Sequence, residues 1–433
     1  MTTHQVNPLF LALAFFALVT VSKAQSCPGC LDTNFGNAGT QYMAIPPSGQ
    51  MSQNDMILQS DGKIVSVVTQ RYTGTTLIRL NTDGTLDSTF AGDGTLETNW
   101  HFETTLPRGY PYSVAAQFIN GEERLVVAGS WSVAAGKNSS VTMLRVDRYR
   151  SNGAIDTSFG PNGTGTVLVN KPYALAVAIQ SDNKIITVGD GQAVVRLNED
   201  GTIDTAFGPN HDGATGAGAS GWSIKALADG SILIGGSCSQ NNSDLMCVTK
   251  LNANGSVFTS FGSGGKAIAN FYGRGSFGRA FRIDLDPLGN IIAGGIARTK
   301  NAGINENNLA AARFTSTGQL DTGFNGSGMV TYDFVGLNES GRDIVAQSDG
   351  KLILTGSVQL SSSDTADFGL VRFNFDGTVD TTFGTNGSTT TNFEKGDYTN
   401  SARLWFDPTC SCEKILLAGA SYAGPSFARY RTQ

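Results

Sequence analysis

Short apolar runs that alternate with polar positions, broken by Asp-Gly or Asn-Gly, recur along the whole chain. Two examples are ILQSDGKIVSVV (57–68) and IVAQSDGKLILTGS (344–357). Asp-Gly between alternating runs predicts a β-hairpin, because a left-handed glycine matches the twist of the flanking strands. A third run follows each hairpin, as in TLIRLN (76–81) or GLVRFN (369–374), and then comes a hexapeptide that returns throughout the chain. It reads LDTNFG from Leu31, LDSTFA from Leu86, IDTSFG from Ile155, IDTAFG from Ile203, VFTSFG from Val257, LDTGFN from Leu320 and VDTTFG from Val379. No apolar stretch has the helical period. Units of this size that vary by insertion predict propeller blades of four short antiparallel strands, with the hexapeptide as the fourth strand.

Turn geometry extends the reading. A three-residue turn at Thr82-Asp83-Gly84 sets Asn81 opposite Thr85, Leu80 opposite Leu86 and Arg79 opposite Asp87, a cross-strand charge pair. The same count pairs Arg148 with Asp156, Arg196 with Asp204, Arg313 with Asp321 and Arg372 with Asp380. In the unit where the acid is replaced, by Phe258, the base has changed to Lys250. Such pairs are sheet stabilisers rather than sites. The last run, FARYR (427–431), has the arginine-bearing pattern and nothing after it, whereas Leu31–Gly36 has the partner pattern and nothing before it. Pairing the two, with Arg429 opposite Asp32, predicts a seven-bladed ring closed by the amino-terminal strand, which removes exposed sheet edges.

Composition narrows the partners. The net charge is −6 over 433 residues, charged residues are 15 %, and no Lys/Arg-rich stretch occurs, which argues against nucleic acid. The apolar run Leu9–Val19 followed by Ser22-Lys23-Ala24 predicts a signal peptide, residues 1–24, cleaved after Ala24. No later segment is long and apolar enough to span a bilayer. Residues 25–433 are then one secreted or periplasmic domain, in a compartment where cysteines pair. Cys238 and Cys247 flank one loop and are expected to staple it, while the connectivity of Cys27, Cys30, Cys410 and Cys412 stays open.

The order of elements, QSDGKIVSVV … IRLNTDGTLDSTFA over 59–91 and again over 347–384, resembles the delta-60 repeat family of secreted β-propeller proteins. The resemblance covers nearly the whole mature chain and implies a propeller. It brings no shared catalytic residues, and the outer-membrane sorting domain common in that family has no counterpart in this sequence.

Insertions fall on one predicted end, in crossovers (91–112, 208–221, 262–278, 384–400) and second-turn loops (130–141, 237–246, 297–309). Length variation on one end of a rigid scaffold predicts a binding surface. Its candidate residues are Trp100, His101, Phe102, Trp131, His211, Phe271, Tyr272, Arg274 and Tyr398, with Tyr110 and Tyr112 nearby. Exposed aromatic loops suit sugar rings or peptide side chains, although several could instead plug the crossovers.

Dedicated chemistry is sparse. The mature chain keeps only His101 and His211, no metal-ligand set or cofactor fingerprint stands in a matching context, and no Gly-x-Ser-x-Gly elbow occurs. The expectation is a monomeric, non-catalytic binding or scaffold protein for a glycan or protein ligand, with no cofactor. The alternative is a polysaccharide lyase or hydrolase using His101 or His211 beside Asp93, Glu97, Glu103 or Asp212. Asn138, Asn162 and Asn241 begin glycosylation sequons.

Overall fold

The computed structural model describes residues 27–43, 51–70, 74–100, 108–136, 139–189, 193–298, 307–334, 338–360, 365–393, 396–421 and 424–433. Among these residues the chain is all-β apart from one helical turn, Pro161–Gly163. Met51–Leu58, Ile64–Gln70, Gly74–Leu80 and Thr95–Thr98 pair in chain order into a four-stranded antiparallel sheet. The same plan recurs from Arg108–Ile119 to Thr166–Val169, from Ala176–Ile179 to Ala214–Gly216 and from Asn338–Ala346 to Ser388–Thr391. Between Ser220–Ala226 and Met329–Tyr332 two such sets are joined by a single parallel bridge, Asp244 to Phe277. The last sheet contains Tyr398–Asp407, Cys412–Ser421 and Gly424–Arg431, and its fourth strand is Thr40–Tyr42 from the other end of the chain.

The hexapeptide is not the fourth strand. Leu86 makes one bridge to Leu80, and the chain then turns. The Asp87 carboxylate accepts hydrogen bonds from the N–H and hydroxyl of Thr89, an Asx turn that competes with strand pairing. The fourth strand begins only after this turn, so residues 81–94 all stay at one end of the sheet.

The predicted register within the turn is present: Asn81 N–H donates to Thr85 O at 2.8 Å, and Asp87 N–H to Arg79 O at 3.0 Å. Each of the repeated phenylalanines, such as Phe90, Phe159 and Phe207, is buried. Apolar faces of consecutive sheets share core clusters, for example Val126 and Val146 with Val177, Ile185 and Val195. Leu416, Ala418 and Phe427 of the last sheet pack in the same way with Met56, Val68 and Ile78 of the first. The first strands of consecutive sheets lie side by side, and Tyr398–Asp407 also lies beside Met51–Leu58.

Candidate functional site

The first strand of most sheets has a β-bulge, with the register shifting between Gln53/Asp55, Pro111/Ser113, Gly221/Ser223, Ala280/Arg282, Gly341/Asp343 and Thr399/Ser401. The bulge pushes a backbone carbonyl against the second strand, and glycine there makes room. A Cβ on Gly129 would lie 2.0 Å from Tyr110 O, and one on Gly236 would lie 1.7 Å from Ser220 O. The extra residues are Asn54, Tyr112, Trp222, Phe281, Arg342 and Asn400. Bulges re-aim side chains, and these converge between neighbouring sheets. The Trp222 and Phe281 rings meet edge to face at 5.4 Å, the Arg342 guanidinium lies 5.0 Å over Phe281, and Tyr112 sits 6.0 Å from Tyr173. The bulges lie near the start of each first strand, toward the end that carries the crossovers.

One or three residues beyond the bulge is a tier of charge that sequence reasoning missed. Arg403 bridges two carboxylates, Asp55 at 2.8 Å and Asp343 at 3.1 Å, and Arg282 approaches Asp343 at 3.5 Å. Lys225 pairs with Asp284. Asp55 also accepts from Ser113 Oγ (2.8 Å), Val114 N–H (3.2 Å) and Ser401 Oγ (3.3 Å), and so ties three sheets together. Burial pushes the Asp343 carboxyl up despite Arg282 and Arg403 beside it. The three cations and three anions balance, each committed to another.

At the opposite end the predicted pairs are all in place, at 2.6 Å for Arg79–Asp87, 2.8 Å for Arg148–Asp156, and 2.7 Å for both Arg196–Asp204 and Arg313–Asp321. Arg372–Asp380 lies at 2.8 Å and Arg429–Asp32 at 2.7 Å. They do more than pair within a hairpin. Arg148 stacks 4.6 Å over Phe159 and donates to Glu199 O in the next sheet at 2.6 Å, while Arg196 reaches Ala253 O and Arg372 reaches Thr432 O, each at 2.5 Å. Arg429, from the last sheet, donates to Thr82 O of the first. Where the acid is absent, Lys250 lies 4.9 Å over Phe258.

The other predicted site residues do not gather in one place. Trp100 has no exposed surface, and with Trp131 it sandwiches Arg145, whose guanidinium is 4.5 Å from each ring and paired with Asp147 at 2.8 Å. That sandwich is core packing. His211 was expected among the long connections, but it occupies a tight turn at the paired end with φ 54°, because Ala214–Gly216 lies between it and the crossover. Its neighbour Asp212 pairs with Lys171, and Asp93 likewise sits in the turn before Thr95–Thr98, accepting from Thr95. Glu97 lies on that strand opposite Thr76. His101, Phe102 and Glu103 fall outside the described residues, as do the signal segment and Asn138.

Phe271 packs against the core while Tyr272 beside it is exposed, and Tyr398 is 56 % exposed. Arg274 borders a cavity of about 550 Å³ with Gln240, Asn241, Asn242, Leu245 and Asn270. Cys238 is bonded to Cys247, Cys27 to Cys30, and Cys410 to Cys412, so the amino-terminal tail and the last sheet's first turn are not cross-linked.

The family comparison agrees with this architecture. Residues 59–90, 180–207, 227–261 and 347–383 match the family model described as a domain of unknown function (DUF5122) beta-propeller. The fold is a β-propeller. No curated protein matches the chain. Solved structures that resemble it include YCF48 bound to D1 peptide, at 10 % identity and a TM-score of 0.45, covering 94 % of this chain and 98 % of that one. An ancestral GH74 enzyme matches at 11 % identity and a TM-score of 0.48; 91 % of this chain is covered, and about half of that one, 51 %. The C-terminal WD40 domain of Sif2 matches at 8 % identity and a TM-score of 0.43, covering 88 % and 96 %. Among the described residues no helix is long and apolar enough to cross a membrane.

Proposed function

We propose that the mature chain, residues 25–433, is a secreted, monomeric, seven-bladed propeller that binds a glycan or protein ligand, without turnover, through the end bearing the long connections. Closure by the amino-terminal segment is supported by the pairing of Thr40–Tyr42 with Gly424–Arg431, by the Arg429–Asp32 ion pair, and by the donation from Arg429 across to Thr82. The chain's own segment fills the seam, so no second copy is called for. Secretion is supported by the leader pattern and by three disulfides, which persist in oxidising compartments.

The observation that carries the binding reading is the contrast within the first strands: the bulges set Trp222 against Phe281 and Tyr112 against Tyr173, whereas the charged groups deeper along the strands are neutralised in pairs. Groups consumed by ion pairs are poor acids and bases, while clustered aromatic rings supply contact area for a ligand. A glycan array probed with the purified mature protein tests this. Defined binders that are lost in Trp222→Ala and Phe281→Ala are expected. A flat array combined with turnover of a polysaccharide would replace it with the enzyme alternative.

A further inference from the structure

The same cluster contains arginines for which the described residues supply no acid. Arg279 lies 5.2 Å over Trp222 and 4.7 Å over Phe277, Arg298 lies 4.8 Å over Phe277, and Arg342 sits over Phe281. Among the described residues none of the three side chains makes a hydrogen bond or ion pair, unlike those of Arg79, Arg148, Arg196, Arg313, Arg372 and Arg429 at the other end. The nearest carboxylates on the same strands are committed: Asp343 to Arg282 and Arg403, Asp284 to Lys225. Arg279 Nε and the indole Nε1 of Trp222 are buried donors that find no acceptor. Burial lowers the pKa of Arg342, the mark of a cation partly removed from water with no counter-charge in compensation. Desolvated donors and cations without partners are costly to keep, and the cost is recovered when an anion arrives.

We propose that Trp222, Phe281, Arg279 and Arg342 form a binding site for an acidic saccharide, a chain of pyranose rings bearing carboxylates. The proposal deepens the binding reading above and rests on it. A guanidinium holds a carboxylate through two parallel N–H···O bonds, a geometry lysine lacks. The indole and phenyl rings between the arginines offer flat apolar area to the C–H face of a pyranose. An acidic peptide would satisfy the guanidiniums and leave that area uncovered. Arg298, on the far side of Arg279, extends the cationic row so that successive carboxylates of one polymer meet successive donors.

Calorimetric titration of the full chain with an oligogalacturonate, the same oligomer fully methyl-esterified, and a poly-glutamate peptide of equal length tests the assignment. The acidic oligomer is expected to bind, with esterification and each of Arg342→Gln and Arg279→Gln weakening it about tenfold or more, the scale of one lost charge-assisted fork. Indole fluorescence is expected to change on binding and to lose that change in Trp222→Phe. Arg342→Lys, which keeps the charge without the fork, is read alongside, so a glutamine variant that failed to fold would not block the test. Equal affinity for the esterified oligomer would overturn the acidic site while leaving saccharide binding intact. Tighter binding of poly-glutamate would overturn the saccharide assignment. Silence toward all three together with a flat glycan array would overturn glycan binding as a whole, the acidic site with it, and leave only the protein ligand of the binding reading.

Discussion

The two ends of the molecule use the same unit, a guanidinium laid over an aromatic ring, to opposite effect. At the paired end Arg148 covers Phe159, is held by Asp156 at 2.8 Å, and spends its remaining donors on the neighbouring sheet. At the other end Arg342 covers Phe281 and has no ion pair among the described residues. What separates a structural joint from the recognition surface proposed above is therefore one carboxylate. With it the arginine's donors are all committed and the sheets are locked; without it the donors remain for something that is not part of the chain.

The largest effects are expected where a carboxylate is removed from the paired end. Asp156→Ala strands Arg148 and leaves Arg124, whose Nε lies 3.2 Å from the same carboxylate, with Glu122 alone; it should cost about 3–5 kcal/mol, the usual penalty for orphaning a buried charge. Urea denaturation measures it. Asp32→Ala strands Arg429, across the junction of the two chain ends, and leaves Lys414 with Asp407 alone. Burial alone would raise the Asp32 carboxyl, but Lys414 and Arg429 hold it below the ordinary value, so the pair is strongly engaged. If the ring is closed through that junction, the two variants lose comparable stability. An Asp32→Ala protein within about 0.5 kcal/mol of the parent, the range of an ordinary surface change, would mean that the ends are not joined in solution.

The same junction gives the next effect in size. Cys27-Pro-Gly-Cys30 stands where the other units have Asp-Gly turns: Gly384 N–H donates to Pro28 O at 2.7 Å, as Gly36 N–H donates to Asp83 O. Gly29 and Cys30 bond with Arg431 on both sides. The disulfide thus holds a turn shape where the chain is interrupted. Cys27→Ser/Cys30→Ser should cost about 2 kcal/mol in urea denaturation, the entropy of so small a loop, while reduction of the parent, which also opens Cys238–Cys247 and Cys410–Cys412, should cost more. A double variant as stable as the parent would show that the turn needs no staple.

Much of the paired end was legible because its geometry is local. Counting through a three-residue turn placed Arg79 opposite Asp87, and matching the unpaired patterns at the two chain ends placed Arg429 opposite Asp32. The same counting misassigned the hexapeptide as a strand, since an Asx turn and a strand start share the Asp-Thr pattern, and that error carried His211 and Asp93 to the wrong end. The other end was illegible for a different reason. Asp55, Asp343 and Arg403 meet only because three first strands lie together, and the equivalent positions in other sheets follow no charge pattern, from Ser113 and Arg282 at one register to Ile57, Ala115 and Asp284 at the other. A usable signal did exist: the glycine in the second strand, Gly129, Gly236, Gly295, Gly356 or Gly419, marks the bulge opposite and therefore the residue aimed outward. Trp100 misled because an aromatic that plugs a crossover looks the same in sequence as one that faces a ligand.

A pH series sharpens the contrast in charge use. Asp87 and Asp380 are buried, which raises a carboxyl, yet hydrogen bonds from Lys63 and Thr89, and from Thr382 and Lys351, hold both far below the ordinary 3.8. Their stabilisation is present above that value and is lost as the pH falls below it. Glu339 and Asp397 behave oppositely. Each caps a crossover by accepting backbone N–H groups, Glu339 from Phe334 and Leu309 and Asp397 from Phe393, but burial prevails and pushes them up to about 7 and about 6. The folded state then holds protons that the unfolded chain releases, so these two acids favour folding below their ordinary 4.5 and 3.8, and that contribution disappears as the pH rises through 7 and 6. Thermal midpoints across pH 4 to 8 should fall less steeply in Glu339→Gln than in the parent. An unchanged slope would mean that Glu339 is not a buried acid.

The smallest expected effect is the most discriminating. In Arg342→Gln the chain loses one cation–π contact with Phe281, a gain of about 0.5–1 kcal/mol when partly exposed. It also loses the cost of keeping a desolvated guanidinium without a counter-charge, which acts in the opposite direction. No ion pair is broken and no carboxylate is stranded, so the two terms nearly cancel and the urea midpoint should stay within about 0.5 kcal/mol of the parent. The matching change at the other end, Arg148→Gln, leaves Asp156 buried beside Arg124 alone and strips donors from Gln117 and Glu199, and it should be far more damaging. If Arg342→Gln proved as costly as Arg148→Gln, the arginine over Phe281 would be a joint like the others, with its acid supplied from residues outside those described, and the distinction between the two ends would collapse.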